Sequence, residues 1–126
     1  MKRIAVLGST GSIGRETLDV IRASGGEFTA GVLLAHANAQ LMLRQAEEFR
    51  PALVCLTDEA AARSIEKRLP EGTKLYCAGD AALVAAASGE ADIAVNGISG
   101  FAGTLPLIAA LRRGRRVALA NKESVV

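Results

Sequence analysis

The fold turns on the reading of residues 4–21, IAVLGSTGSIGRETLDVI. A short apolar run with β-branched members, Ile4 to Leu7, reads as a buried strand by its length. Glycines follow at positions 8, 11 and 14, and then Ile13, Leu18 and Ile21 recur at helical spacing. Strand, glycine loop and helix in direct succession suit an anion. The backbone N–H groups at the start of the helix are unpaired, the helix dipole turns its positive end to them, and Ser9, Thr10 and Ser12 add hydroxyls. The spacing is G-x-x-G-x-x-G rather than the usual G-x-G-x-x-G. The three roles of the usual fingerprint are still covered: Gly8 for the sharp turn, Gly11 for close approach of a pyrophosphate, Gly14 for packing of helix on sheet. The alternative is a tight strand-to-helix turn with no ligand.

Outward from this unit, strands and helices alternate. Strand-like runs recur at FTAGVLLA, ALVCL, TKLYCA, ADIAVNG and RVALA. Helical stretches lie between them. One follows Asn38 as N-cap and ends at Pro51, and one runs from Asp58 to Pro70. A short alanine-rich helix is DAALVAAAS, and the last carries Thr104 as cap and runs to Gly114. No two successive runs are close enough to form a hairpin. The pattern predicts an α/β fold, a doubly wound parallel sheet of the Rossmann type occupying residues 1–126 as one dinucleotide-binding domain.

Composition agrees with a packed domain. Half of the residues are apolar and aromatics are scarce, so aliphatic side chains form the core. A net charge of +2 gives no support for nucleic acid, and LRRGRR at residues 111–116 reads as a solvated basic helix end without an aromatic platform. The opening MKRIAVL breaks at Gly8, far short of a signal segment, and no run spans a bilayer. A cytoplasmic protein without a membrane partner is expected. Cys55 and Cys77 fall in apolar runs and read as buried reduced thiols, and Tyr76 and the phenylalanines read as core.

The residue closing the second strand distinguishes the dinucleotides. A carboxylate there holds the ribose 2′-hydroxyl of NAD and repels a 2′-phosphate. The stretch is LLAHANAQ, with no acid, which points to NADP. No Arg or Lys stands there either; His36 is a candidate partner of the phosphate, or else a partly exposed loop histidine with no task. At the other end, LANKES places Asn121, Lys122, Glu123 and Ser124 just past the sixth strand, on the edge where such sheets bind ligands. The chain stops there without a second wall, which suggests a portion of a longer protein.

LGSTGSIG, ISGFAGTLP and LANKES, in this order and spacing, resemble the amino-terminal domain of the 1-deoxy-D-xylulose 5-phosphate reductoisomerases. The resemblance covers essentially the whole chain. It implies an NADPH-dependent oxidoreductase of non-mevalonate isoprenoid biosynthesis, which isomerises a phosphorylated ketose and reduces it to 2-C-methyl-D-erythritol 4-phosphate. It further implies cofactor contacts from Thr10, Gly11, Ser12, Ile13, Asn38, Asn121 and Glu123, and a substrate contact from Lys122. His36 and Ala37 stand where the family carries Gly and then a Lys or Arg that holds the 2′-phosphate, so this chain departs from the pattern at its cofactor-binding residues 36 and 37. The resemblance also implies a homodimer, and a divalent metal (Mg or Mn) held by a part of the enzyme outside these residues. No metal ligand and no catalytic residue is expected in this chain, which alone should not turn over. Two other readings follow from the residues: a semialdehyde-dehydrogenase-like reductase, which needs a catalytic cysteine on a loop, and a nucleotide-sensing module without catalysis.

Overall fold

The computed structural model describes residues 2–77, 92–96 and 116–119. Their elements run β1 (Lys2–Leu7), α1 (Ser12–Ala23), β2 (Phe28–Ala35), α2 (Ala39–Phe49), β3 (Leu53–Leu56), α3 (Glu59–Ile65), β4 (Lys74–Cys77), β5 (Ile93–Asn96) and β6 (Arg116–Leu119). The strands form one parallel sheet in the order β4-β3-β2-β1-β5-β6. All six expected strands are present. The helices expected after Asp80 and Thr104 lie outside the described residues.

The chain steps outward from β1 to β4 through three crossovers of the same sense. Their right-handedness puts α1, α2 and α3 on one face. Ile4, Val6, Leu33, Ala35, Val54 and Leu56 line that face of the sheet. Leu18 and Ile21 of α1, Met42 and Ala46 of α2, and Ala62 and Ile65 of α3 pack onto them. The other strand positions, Ala5, Leu7, Val32, Leu34, Leu53 and Cys55, are buried as well, so both faces are covered, as parallel sheets require. A bulge sets the parity of β2: Ile4 pairs with Ala30 and Ala5 with Val32, which leaves Gly31 extra. Without it, Leu33 and Ala35 would fall on the opposite face.

Each helix end has a local cause. Ser24 closes α1, and Gly25 and Gly26 take φ of 66° and 93° to turn the chain towards β2. Asn38 caps α2, its Oδ1 accepting from the Leu41 N–H, and Arg50 ends that helix in the left-handed region just before Pro51. Asp58 caps α3 through the Ala61 N–H. That helix stops at Ile65, short of Pro70. Its end tightens into an i→i+3 bond from the Arg68 N–H to the Ile65 carbonyl, which brings Leu69 back against the core.

Two expectations about side chains are corrected. Tyr76 is 38% exposed, and Cys77 is exposed rather than buried. Both lie on β4, which pairs on one side only among the described residues. Cys55, on the inner strand β3, is buried and free as expected. Burial, with the Cys77 sulfur nearby, pushes its thiol up to about 12.

Candidate functional site

After Leu7 the chain turns sharply at Gly8, whose φ of 89° favours glycine. The N–H groups of Gly8 and Ser9 both donate to the Leu34 carbonyl, at 2.6 and 2.9 Å, which fastens the start of the loop to β2. The Gly11 N–H closes the turn on the Gly8 carbonyl at 3.1 Å, and α1 opens with the Arg15 N–H on the Gly11 carbonyl at 2.9 Å. Gly14 then passes against the same turn. A Cβ there would lie 2.1 Å from the Gly8 oxygen and 2.6 Å from the Ser9 Cα, so nothing larger than glycine fits. Gly11 is different. Its φ is −81°, and a Cβ would meet only the Gly8 oxygen at 3.5 Å, an ordinary contact. The fold requires Gly8 and Gly14 but not Gly11, which is exposed on the outer side of the loop.

The amides of Thr10, Ser12 and Ile13 donate to no acceptor among the described residues. No side chain caps α1, in contrast to α2 and α3, and no acid stands in its first turn, where α3 carries Glu59. The result is a cluster of unpaired donors at the positive end of a helix, in front of a glycine that leaves room for a close approach. This is the arrangement that accepts a phosphate. It sits where the strand order reverses between β1 and β5, at the carboxyl ends of the strands, the place where open α/β sheets bind ligands.

The second wall comes from the end of β2. His36, Ala37 and Asn38 are exposed there. His36 Nδ1 lies 2.6 Å from Thr57 Oγ1, and its carbonyl accepts from the Asp58 N–H at 2.9 Å, which ties the ends of β2 and β3 together. Asn38 has committed its oxygen to the α2 cap, leaving its NH2 group for a ligand. No carboxylate belongs to this stretch; Asp58, whose N–H meets the His36 carbonyl, has its own carboxylate engaged in capping α3. Asn121, Lys122 and Glu123 lie outside the described residues.

A residue that periodicity does not single out supports the loop from below. Gln45 is 6% exposed, and its Nε2 donates to the Ser9 carbonyl at 2.8 Å, while its Oε1 has no partner among the described residues. Ser9 is fully buried, with its hydroxyl 3.9 Å from Met42 Sδ. The signal in the sequence is a polar residue on the core-facing stripe of α2, between Met42 and Ala46 and Phe49.

A cleft of about 520 Å³ runs between α1 and α2 from Ser12, past Arg15 and Arg44, to Glu48. Arg22 crosses its far end to Glu48, Nη2 to Oε1 at 2.9 Å, and also bonds Asp19. The Arg22 guanidinium holds the Glu48 carboxyl below its ordinary range. This cleft is charged and open, and only its Ser12 end meets the loop. Among the described residues no group of three or more His, Cys, Asp or Glu side chains stands close enough to hold a metal, and no helix is long and apolar enough to cross a membrane.

Comparison with known proteins agrees with this geometry. Residues 4–126 match the family model of 1-deoxy-D-xylulose 5-phosphate reductoisomerase. The enzyme of that name from Photorhabdus laumondii is 41% identical over 129 residues, covering 100% of this chain and 32% of its own. The solved structure of 1-deoxy-D-xylulose 5-phosphate reductoisomerase from Zymomonas mobilis in complex with NADPH superposes with a TM-score of 0.89 at 35% identity, covering 98% of this chain and 32% of its own. A DOX-P reductoisomerase in complex with NADPH, fosmidomycin and magnesium gives 0.86 at 33% identity, covering 98% of this chain and 31% of its own. The chain thus spans about a third of the length of the relatives it matches.

Proposed function

The chain belongs to the 1-deoxy-D-xylulose 5-phosphate reductoisomerase family, and on that premise we propose that residues 1–126 are the NADPH-binding domain of such an enzyme. The observation that carries this reading is the uncapped start of α1, with the amides of Thr10, Ser12 and Ile13 unpaired behind an open Gly11. These groups fit the pyrophosphate of a dinucleotide. His36, Ala37 and Asn38 border the adenosine ribose, and the absence of a carboxylate there admits a 2′-phosphate. Asn121 and Glu123 complete the cofactor contacts, and Lys122 holds the substrate. When bound, NADPH supplies the hydride.

The whole enzyme isomerises and reduces 1-deoxy-D-xylulose 5-phosphate to 2-C-methyl-D-erythritol 4-phosphate, as a cytoplasmic homodimer. The divalent metal and the substrate phosphate are held by parts of the enzyme beyond these residues. The 126-residue chain on its own binds nucleotide without turnover. Titration with NADPH and NADH, with Gly11→Val as control, tests this. Tighter binding of NADPH that is lost in the variant supports the reading, equal binding of both removes the NADP preference, and no binding of either overturns it.

A further inference from the structure

The loop presents donors only if its peptides face the right way, and the Ser9–Thr10 peptide has a hold of its own. Its carbonyl accepts the buried Nε2 of Gln45 at 2.8 Å. No cis peptide occurs among the described residues, and in a trans peptide the C=O and N–H point in opposite directions. Drawing the Ser9 carbonyl inward to α2 therefore turns the Thr10 N–H outward, where it meets no acceptor among the described residues. Reversing this peptide would present a carbonyl oxygen to an anion instead of a donor.

The glutamine is an unfavourable choice on packing grounds. It is 6% exposed on the core face of α2, with Oε1 unpartnered among the described residues. A buried polar atom without a partner is destabilising, and a methionine of similar length would avoid the cost. Among the described residues, the one partner of its amide is the loop.

We infer that Gln45 is a positioning residue for dinucleotide binding, which locks the Ser9–Thr10 peptide with its N–H towards the pyrophosphate. The inference rests on the proposed function of the loop. Because both dinucleotides carry the pyrophosphate, Gln45 acts on NADPH and NADH alike and is neutral towards the 2′-phosphate.

The test measures dissociation constants for NADPH and NADH, with thermal unfolding in parallel, in the chain and in Gln45→Met and Gln45→Glu. The expected result is weakening of both cofactors by the same factor, about tenfold for the loss of one buried hydrogen bond. Gln45→Glu is weaker still, because its carboxylate repels the Ser9 carbonyl. Affinities within twofold of the parent, with only a lower melting point, would overturn the inference, and so would a loss confined to NADPH. Should the variants not fold, the unmodified ¹⁵N-labelled chain is titrated with inorganic pyrophosphate. Movement of the Thr10 amide signal together with Ser12 and Ile13 supports the inference, and movement of Ser12 and Ile13 alone overturns it. Failure of the parent chain to bind either cofactor or pyrophosphate overturns the reading of the loop itself, and the inference with it.

Discussion

Gly14 and Gly8 touch across the loop so closely that a single methyl group on Gly14 would fall 2.1 Å from the Gly8 carbonyl oxygen. The opposing atoms are backbone, so nothing nearby can rotate away. Gly14→Ala is expected to destabilise the fold by about 3 kcal/mol or more, in the upper range for overpacked sites. Gly11→Ala, where the added carbon meets ordinary contact distance, is expected to stay within about 1 kcal/mol of the parent yet weaken dinucleotide binding. Urea unfolding and NADPH titration of the two variants separate a glycine needed by the fold from one left open for a ligand. Equal stability of both variants would contradict the assignment.

The two thiols should differ in reactivity. Cys77 is exposed on β4 and Cys55 is buried in β3 with its thiol pushed up to about 12. Ellman's reagent should modify one thiol in the native chain and two in denaturant, with mass mapping assigning the fast one to Cys77. The sign of the linkage follows. Below pH 9.0, the ordinary value of the group, the Cys55 thiol is protonated in both folded and unfolded chains and has no effect. Between 9.0 and about 12 only the unfolded chain ionises, so stability falls with rising pH. Cys55→Ala should remove that part of the alkaline slope.

Glu48 gives the opposite dependence. Its hydrogen bonds from Arg22 lower its folded pKa below the ordinary 4.5. A lowered carboxyl contributes stability above the unfolded value and loses it as pH falls through the folded one. Glu48→Gln should therefore be less stable than the parent at pH 7 and indistinguishable from it once the parent carboxyl is protonated. The pair is half-exposed, so the difference at pH 7 is small and shrinks in salt. Denaturant midpoints at two pH values and two ionic strengths check this.

Arg50 is the one non-glycine residue with positive φ among those described, at 47°. A side chain in this region costs about 1–2 kcal/mol, partly offset by the greater freedom that glycine has in the unfolded chain. Arg50→Gly is expected to stabilise by roughly 0.5–1 kcal/mol, read as a higher urea midpoint at constant slope. A lower midpoint would mean that the Arg50 side chain contributes more than the strain removes.

Strand count, parallel pairing and the roles of Gly8 and Gly14 are all legible in the sequence, because each rests on local punctuation: a buried apolar run, a turn residue, a helix cap. What is not legible there depends on neighbours distant in sequence. Tyr76 and Cys77 belong to an apolar run like the others, and only the position of β4 in the strand order exposes them. The bulge at Gly31 is invisible without the register against β1. Gln45 looks like one more polar helical residue until α2 is laid under the loop after β1. The end of α3 at Ile65 is hidden by Pro70, a strong stop signal two residues beyond the tightened turn.

The strand order has a consequence for how the molecule is made. Residues up to 77 lay down four neighbouring strands in sequence, each added beside the one before, with β1 left at the rim. A nascent chain can consolidate this half while the remainder is still being synthesised. During that interval the outer edge of β1 offers its unpaired backbone groups to any passing strand. Arrival of residues 93–96 both shields that edge and creates the crevice beside the glycine loop. The binding mouth thus comes into being only after the first four strands, and its completion closes the β1 edge while β4 stays at the rim of the described sheet.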